Sequence, residues 1–199
     1  MARKTKAEAE NTRKQIFISA LDLFCEKGFS KTSFQDIAKR IGLTKGAVYW
    51  HFDNKHDLLA KMILDIYYNG QEKLKQIVPE IKDLDDLKLY LMEETKIILN
   101  DPYCKKLVEF VFLQMEGSDK NCDSIKVIVN EFIGNIMLGV EKSKSKGELK
   151  DNVNVKTLAI TLASFREGLL TKYFENLIDF NFYEALDFGL ESIISNCKK

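Results

Sequence analysis

The chain has 199 residues, of which 45% are hydrophobic and 30% are charged, and its 30 basic residues balance its 30 acidic ones. This composition suffices for a buried core and excludes a chain kept disordered by charge of one sign, and two prolines and ten glycines exclude a collagen-like chain. Residues 1–10 lack a secretory signal and no apolar run reaches the roughly 18 residues of a membrane helix, so we expect a cytoplasmic protein without a membrane segment.

Charge is unevenly distributed along the chain. Residues 1–55 contain 11 basic and six acidic residues, a net charge of +5, whereas the remainder contains 19 basic and 24 acidic residues, a net charge of −5. A basic first quarter joined to an acidic body is typical of a small nucleic-acid-binding domain attached to a domain with another role. Random clustering of surface charge is the alternative interpretation.

The first two predicted helices are separated by a tight turn. The first has apolar residues at helical spacing, namely Ile16, Ala20, Leu23 and Phe24. Gly28 is expected to end it in a left-handed conformation. Ser33 and Asp36 have the spacing of a capping box, which predicts a second, short helix that ends at Gly42.

A third and a fourth helix follow at once. Thr44 can cap a helix over about residues 45–51, with Val48 and Phe52 on its inner side, and Asn54 begins the fourth helix. Short helices joined by tight, glycine-containing turns predict a helix-turn-helix domain, in which the third helix, at about 45–51, is the recognition helix that enters the DNA major groove.

Longer helices are predicted after Pro79. Leu84, Leu87, Leu91 and Ile98 mark one helix, and Asp101 followed by Pro102 predicts the start of the next. The remaining segments are predicted as a loop at 117–121 and helices at about 123–144, 155–177 and 182–196. No segment alternates over the length of a strand, so we expect an all-α fold.

The residues around the third helix suit a DNA duplex. Gly46 and Ala47 allow the backbone to approach base edges, and Lys45 can donate to guanine acceptors. Side chains able to hold phosphates surround them: Ser33, Thr44, Tyr49, His51 and Lys55. Core packing is the alternative for the aromatic residues, but Tyr49 and Trp50 cannot both share the face of Val48 and Phe52. The two histidines lack the further ligands of a metal site, so no metal is expected.

These motifs resemble a known family. A-L-D-L-F-x-x-K-G from Ala20, T-S-F-Q-D-I-A from Thr32 and T-K-G-A-V-Y-W-H-F-x-N-K-x-D-L from Thr44 are similar to the TetR family of bacterial transcriptional repressors. The opening M-A-R-K-T-K-A-E-A-E-N-T-R further resembles the branch that represses multidrug efflux pumps. The resemblance implies an all-α homodimer of about nine helices, in which the first three bind DNA and the last two pair with the partner subunit.

The resemblance also assigns roles to particular residues. It places Lys45, Gly46 and Ala47 near base edges. It places Ser33, Thr44, Tyr49, Trp50, His51 and Lys55 on the phosphate backbone of a palindromic operator. A basic arm at residues 1–10, with Arg3, Lys4 and Lys6, would add salt-sensitive and sequence-independent affinity. The implied domains are this arm, a helix-turn-helix domain at 11–56 and an effector-binding and dimerisation domain at 57–199.

The acidic body is expected to dimerise and to bind an effector without a cofactor. Small residues in the last two helices permit close approach of a second subunit: Ala159, Ala163, Ser164, Gly168, Ala185 and Gly189. Aromatic and polar residues in the middle helices suit a hydrophobic or amphipathic small molecule, and the candidates are Phe110, Gln114, Phe132, Ile136 and Phe165. Ordinary core packing is the alternative for each of these residues.

Three other functions were weighed against a ligand-responsive repressor. No nucleophile, phosphate-binding, dinucleotide or zinc motif indicates an enzyme. An architectural protein that binds DNA regardless of sequence would differ from a repressor in having no base readout. A redox sensor would act through Cys104 or Cys122, although four scattered cysteines without a C-x-x-C pair are most simply reduced thiols.

Overall fold

The structure, a computed structural model, describes residues 6–115 and 123–199. Within them the chain forms nine α-helices: α1 (Lys6–Lys27), α2 (Phe34–Arg40), α3 (Lys45–His51), α4 (Lys55–Ile77), α5 (Leu84–Asn100), α6 (Pro102–Glu109), α7 (Asp123–Ser145), α8 (Val155–Glu175) and α9 (Phe182–Cys197). Phe110–Gln114 extends α6 as one π-helical turn. The described residues contain no β-strand beyond an isolated bridge between Leu149 and Lys198, which confirms the all-α prediction.

The predicted helix ends are confirmed at the start of the chain. Gly28 and Gly42 follow α1 and α2 with φ angles of 88° and 67°, which is the left-handed region that glycine enters without strain. Ser33 and Asp36 form the predicted capping box, in which the side chain of each residue accepts a hydrogen bond from the backbone N–H of the other. These turns set the spacing of the first three helices.

The chain divides into two compact units. Residues 57–66, which the sequence analysis assigns to the second domain, belong to the first unit. The first unit comprises Met1–Ile66 and Tyr103–Ile125, and the second comprises Tyr67–Pro102 and Lys126–Lys199. Side chains from α4 and from the α6 segment complete the core of the first unit: Leu58, Leu59, Met62, Leu107, Phe110 and Met115. Seven-residue helices bury too little apolar surface alone, so this unit needs those longer elements.

The second half of the segment predicted as a basic arm is helical. Residues 6–10 already belong to α1, where the Thr12 hydroxyl donates to the Glu8 carbonyl at 2.8 Å and Arg13 pairs with Glu10. The Arg13–Glu10 pair lies three residues apart on the helix surface, a spacing that stabilises a helix modestly. Arg3 and Lys4 lie outside the described residues, as do Cys122 and the predicted loop at 117–121.

The second unit is formed by α5, α7, α8, α9 and the later part of α4. Its buried core includes Leu87 and Leu91 of α5, Ile136 of α7, and Leu162 and Leu190 of α8 and α9. Helix α8 ends where Asn176 adopts a left-handed conformation, two residues before the predicted end. None of the helices in the described ranges combines the length and the apolar character needed to cross a membrane.

Candidate nucleic-acid interface

Helix α3 begins and ends where the sequence predicts. The Thr44 hydroxyl oxygen accepts a hydrogen bond from the Ala47 backbone N–H at 3.2 Å, so it supplies the expected N-cap. Val48 and Phe52 are buried, and the Phe52 ring lies 5.5 Å from that of Phe17 on α1. One face of this short helix is therefore fixed against the core of the first unit.

The opposite face of α3 carries the two aromatic side chains that the sequence predicted to be accessible. Tyr49 is 50% exposed and Trp50 is 72% exposed, so the core-packing alternative is wrong for both. The Tyr49 ring meets Phe34 edge-on at 5.0 Å, and the Lys45 ammonium lies 5.5 Å from its centroid. These contacts hold the phenol in place and leave its outer half in solvent.

The residues predicted to reach base edges lie on this exposed face. Lys45 and Gly46 are exposed, and Ala47 is half-buried beside the cap. A Cβ added at Gly46 would meet no neighbour closer than the Thr44 hydroxyl at 3.9 Å. Glycine is therefore not required by internal packing here, and its bare backbone leaves room for an approaching surface.

The candidate phosphate contacts around α3 have different surroundings. The Ser33 hydroxyl donates to the Asp36 carboxylate at 2.6 Å. This bond, followed by that from Lys27, holds the pKa of Asp36 at about 2. His51 is half-buried, and its ring meets Trp50 edge-on at 4.6 Å. Ser33 thus lies at the start of α2 and His51 at the end of α3, and their contacts with phosphate stay predictions.

Lys55 is engaged within the protein, which sequence reasoning did not anticipate. Its ammonium donates to the backbone carbonyl oxygens of Phe29 at 2.7 Å and Ser30 at 3.0 Å. The same ammonium lies 4.9 Å from the centre of the Phe29 ring. Lys55 directly follows the asparagine cap Asn54, and nothing in the sequence there indicates that its ammonium will bind carbonyl groups of a distant segment.

The five candidate effector residues are not brought together. Phe110 lies in the core of the first unit, where its ring stacks on Phe24 at 5.8 Å, and Gln114 is exposed at the end of the π-helical turn. Phe132 and Ile136 are buried in the second unit. These positions separate the candidates into two units, and ligand contact by any of them stays a prediction.

Phe165 has a packing role that the sequence did not reveal. A Cβ added at Gly189 of α9 would lie 1.9 Å from the tip of the Phe165 ring. The ring of Phe165 therefore occupies the space over a bare glycine backbone between α8 and α9. Gly189 thus allows α8 and α9 to pack closely within one subunit. For this small residue, packing inside the subunit is the interpretation that the structure favours.

A buried polar cluster beside Phe132 was missed. Arg166 of α8 is 5% exposed, pairs with Glu94, and donates through Nε to the Thr95 hydroxyl at 2.8 Å. Its guanidinium lies 4.9 Å from the centre of the Phe132 ring. The Tyr90 ring also stacks on Phe132, with 6.4 Å between the ring centres. Burial raises the pKa of Glu94, and Arg166 opposes this shift.

A sequence signal for this cluster was present. Arg166 stands four residues from both Leu162 and Leu170, which are buried, so it lies on the apolar stripe of α8. A charged residue on such a stripe is buried with a partner or is functional. The cluster places one cation and one carboxylate next to the aromatic rings of the second unit.

Comparisons with known proteins agree with this geometry. Residues 16–62 match the family described as bacterial regulatory proteins of the tetR family. The chain is 29% identical over 180 residues to a protein of Pseudomonas putida described as the probable HTH-type transcriptional regulator ArpR, covering 87% of this chain and 85% of that one. It is 53% identical over 62 residues to the regulator AcrR of Shigella flexneri, covering 31% and 29% of the two chains.

A solved structure shares the fold over nearly the whole chain. NalD, the secondary repressor of the MexAB-OprM multidrug efflux pump of Pseudomonas aeruginosa, superposes with a TM-score of 0.78 at 22% identity, covering 96% of this chain and 97% of that one. Its likeness extends the shared architecture beyond the matched first domain. Residues 16–62 thus combine helix-turn-helix geometry with a match to the tetR family, and the chain as a whole is similar to proteins that are named as bacterial transcriptional regulators.

Proposed function

We propose that this protein represses transcription by binding a palindromic operator as a homodimer, and that a hydrophobic or amphipathic small molecule releases it. The observation that carries the DNA-binding part is the division of α3, in which Val48 and Phe52 are buried while Tyr49 and Trp50 face solvent. An amphipathic helix of this kind can dock on its own domain and still present side chains to the major groove. For a bacterial DNA-binding protein this proposal includes a cytoplasmic location.

The dimer is proposed to form through α8 and α9. Phe188 of α9 is 73% exposed and Ile160 of α8 is 42% exposed, so each of the two helices presents an apolar side chain that a second subunit could cover. A two-fold dimer would hold its recognition helices one DNA turn apart, at about 34–36 Å. Two such helices read enough base pairs for selective binding, whereas one contacts too few.

The effector is proposed to bind in the second unit near Phe132. Relatives support a small-molecule ligand: SmeT, a repressor of a multidrug efflux pump of Stenotrophomonas maltophilia, has been solved with triclosan, and FadR of Bacillus subtilis with stearoyl-CoA. Ligand and DNA would favour different conformations of α4 and weaken each other by about 1–3 kcal/mol. By analogy with these relatives, we propose a multidrug efflux pump as the regulated target.

Operator binding tests the DNA-binding part of this proposal. A duplex selected by the protein from a random pool is compared with a random duplex across a salt series. We expect Tyr49→Ala to abolish preferential binding of the selected duplex. Tyr68→Ala is the matched control, because Tyr68 is 48% exposed but lies in the second unit. Equal affinity of the wild-type protein for both duplexes at every salt concentration would instead identify an architectural DNA-binding protein.

Thermal shifts with triclosan as the probe test the effector part. Phe132→Trp should change the stabilisation that triclosan produces. A variant that only melts at a different temperature, with the triclosan shift unchanged, would make Phe132 a core residue and contradict the proposed pocket.

A further inference from the structure

The turn between α1 and α2 depends on side chains for its backbone hydrogen bonds. Gly28 reverses the chain with φ at 88°. The single proton of the Thr32 hydroxyl has two acceptors within reach, the carbonyl oxygens of Gly28 at 2.9 Å and Leu23 at 3.2 Å, and the Thr32 backbone N–H donates to the Phe29 carbonyl at 3.2 Å. These contacts arise within the turn and fix its path after α1.

The remaining support comes from a distant part of the sequence. Lys55, at the first position of α4, donates to the carbonyls of Phe29 and Ser30, and its ammonium also faces the Phe29 ring. The neighbouring His56 ring meets the Phe29 ring edge-on at 5.1 Å. Two charge-assisted hydrogen bonds and two ring contacts therefore join the first turn of α4 to this one turn.

The start of α4 is close in sequence to the end of α3, the proposed recognition helix. His51 is the last residue of α3, and three residues separate it from Lys55. From nearly two turns further along α4, the Lys61 ammonium approaches the His51 carbonyl at 3.5 Å and lies 5.4 Å from the centre of the Phe52 ring. A constraint on the first turn of α4 therefore constrains the end of α3 that carries Trp50.

We propose that Lys55 is a positioning residue for DNA binding, which ties α4 to the α1–α2 turn and so fixes the orientation of α3, rather than a phosphate contact. The inference rests on the proposed function only in that α3 is taken to enter the duplex.

The proposal differs from a phosphate contact in its dependence on salt. Removal of one lysine that contacts a phosphate makes the slope of log affinity against log salt concentration less steep by about 0.9. A lysine whose ammonium donates to protein carbonyls instead helps to orient α3. Its loss should therefore weaken binding by a similar factor at every salt concentration.

Lys55→Met, which keeps the aliphatic stem, provides the test. With the selected duplex, we expect affinity about tenfold lower, which is the order of one lost charge-assisted hydrogen bond, and an unchanged salt slope. Lys55→Arg keeps a charged group with several N–H donors and should restore most of the affinity. Trp50 is the only tryptophan, so its time-resolved fluorescence anisotropy should report faster local motion in Lys55→Met without any DNA present.

Lys31→Met is the matched control, because Lys31 is exposed and adjoins Ser30. It should leave the motion of Trp50 unchanged. A smaller salt slope in Lys55→Met with unchanged Trp50 motion would overturn the proposal in favour of a phosphate contact. A lower melting temperature with unchanged affinity and unchanged Trp50 motion would overturn it in favour of simple packing. Failure of the wild-type protein to prefer any duplex would reject the proposed function, while the Trp50 measurement would still decide the role of Lys55.

Discussion

Two aromatic residues two positions apart on the recognition segment should respond to mutation in opposite ways. Phe52 is 1% exposed and packs against Phe17, whereas Trp50 is 72% exposed. Phe52→Ala removes a fully buried ring and leaves a cavity, which costs about 3–5 kcal/mol of unfolding free energy. Trp50→Ala removes a ring that solvent already surrounds, and such surface changes stay within about 0.5 kcal/mol.

Far-UV circular dichroism during thermal and urea unfolding measures both effects. At roughly 2–4 °C per kcal/mol for a chain of this size, Phe52→Ala should melt roughly 6–20 °C lower, and Trp50→Ala should melt within about 2 °C of the wild-type protein. Trp50→Ala should nevertheless bind the selected duplex more weakly. Equal destabilisation by the two substitutions, or loss of less than about 1 kcal/mol in Phe52→Ala, would refute the assignment of inner and outer faces.

Two further predictions concern helix packing and pH. Gly189→Ala should destabilise the protein by about 1–3 kcal/mol in urea unfolding, since the new methyl group overlaps the Phe165 ring, whereas Gly134→Ala, with open space at its Cβ, should be neutral or stabilising; equal effects would contradict the packing of Phe165. The carboxyl of Asp36 should titrate by NMR with a pKa of about 2. This depressed pKa stabilises the folded state above the unfolded value of about 3.9, and the contribution is lost as the pH falls towards 2. Ser33→Ala should raise the pKa of Asp36, and an unchanged titration would contradict the capping box.

Local patterns in the sequence predicted the DNA-binding segment closely. The caps at Ser33 and Thr44 and the glycines at 28 and 42 act over three or four residues, so their signals are contained in short motifs. The faces of α3 followed from the same reasoning, because Val48 and Phe52 are four residues apart and leave Tyr49 and Trp50 outside that stripe.

Contacts between distant segments were not predictable in this way. The burial of Phe110 beside Phe24, the placement of Phe165 over Gly189 and the bonds from Lys55 to the α1–α2 turn each join residues more than 20 positions apart. Helical periodicity states which side of a helix is apolar but does not name the element that covers it. The choice of effector candidates therefore rests on residue type alone.

Quenching of Trp50 fluorescence by acrylamide tests the central claim most directly, because the only tryptophan stands on the exposed face of α3. In the free protein, acrylamide should quench Trp50 efficiently. Addition of the selected duplex should protect Trp50 from acrylamide, and a random duplex at the same concentration should protect it much less. Tight binding of the selected duplex with unchanged quenching of Trp50 would show that DNA contacts another surface and would contradict the account.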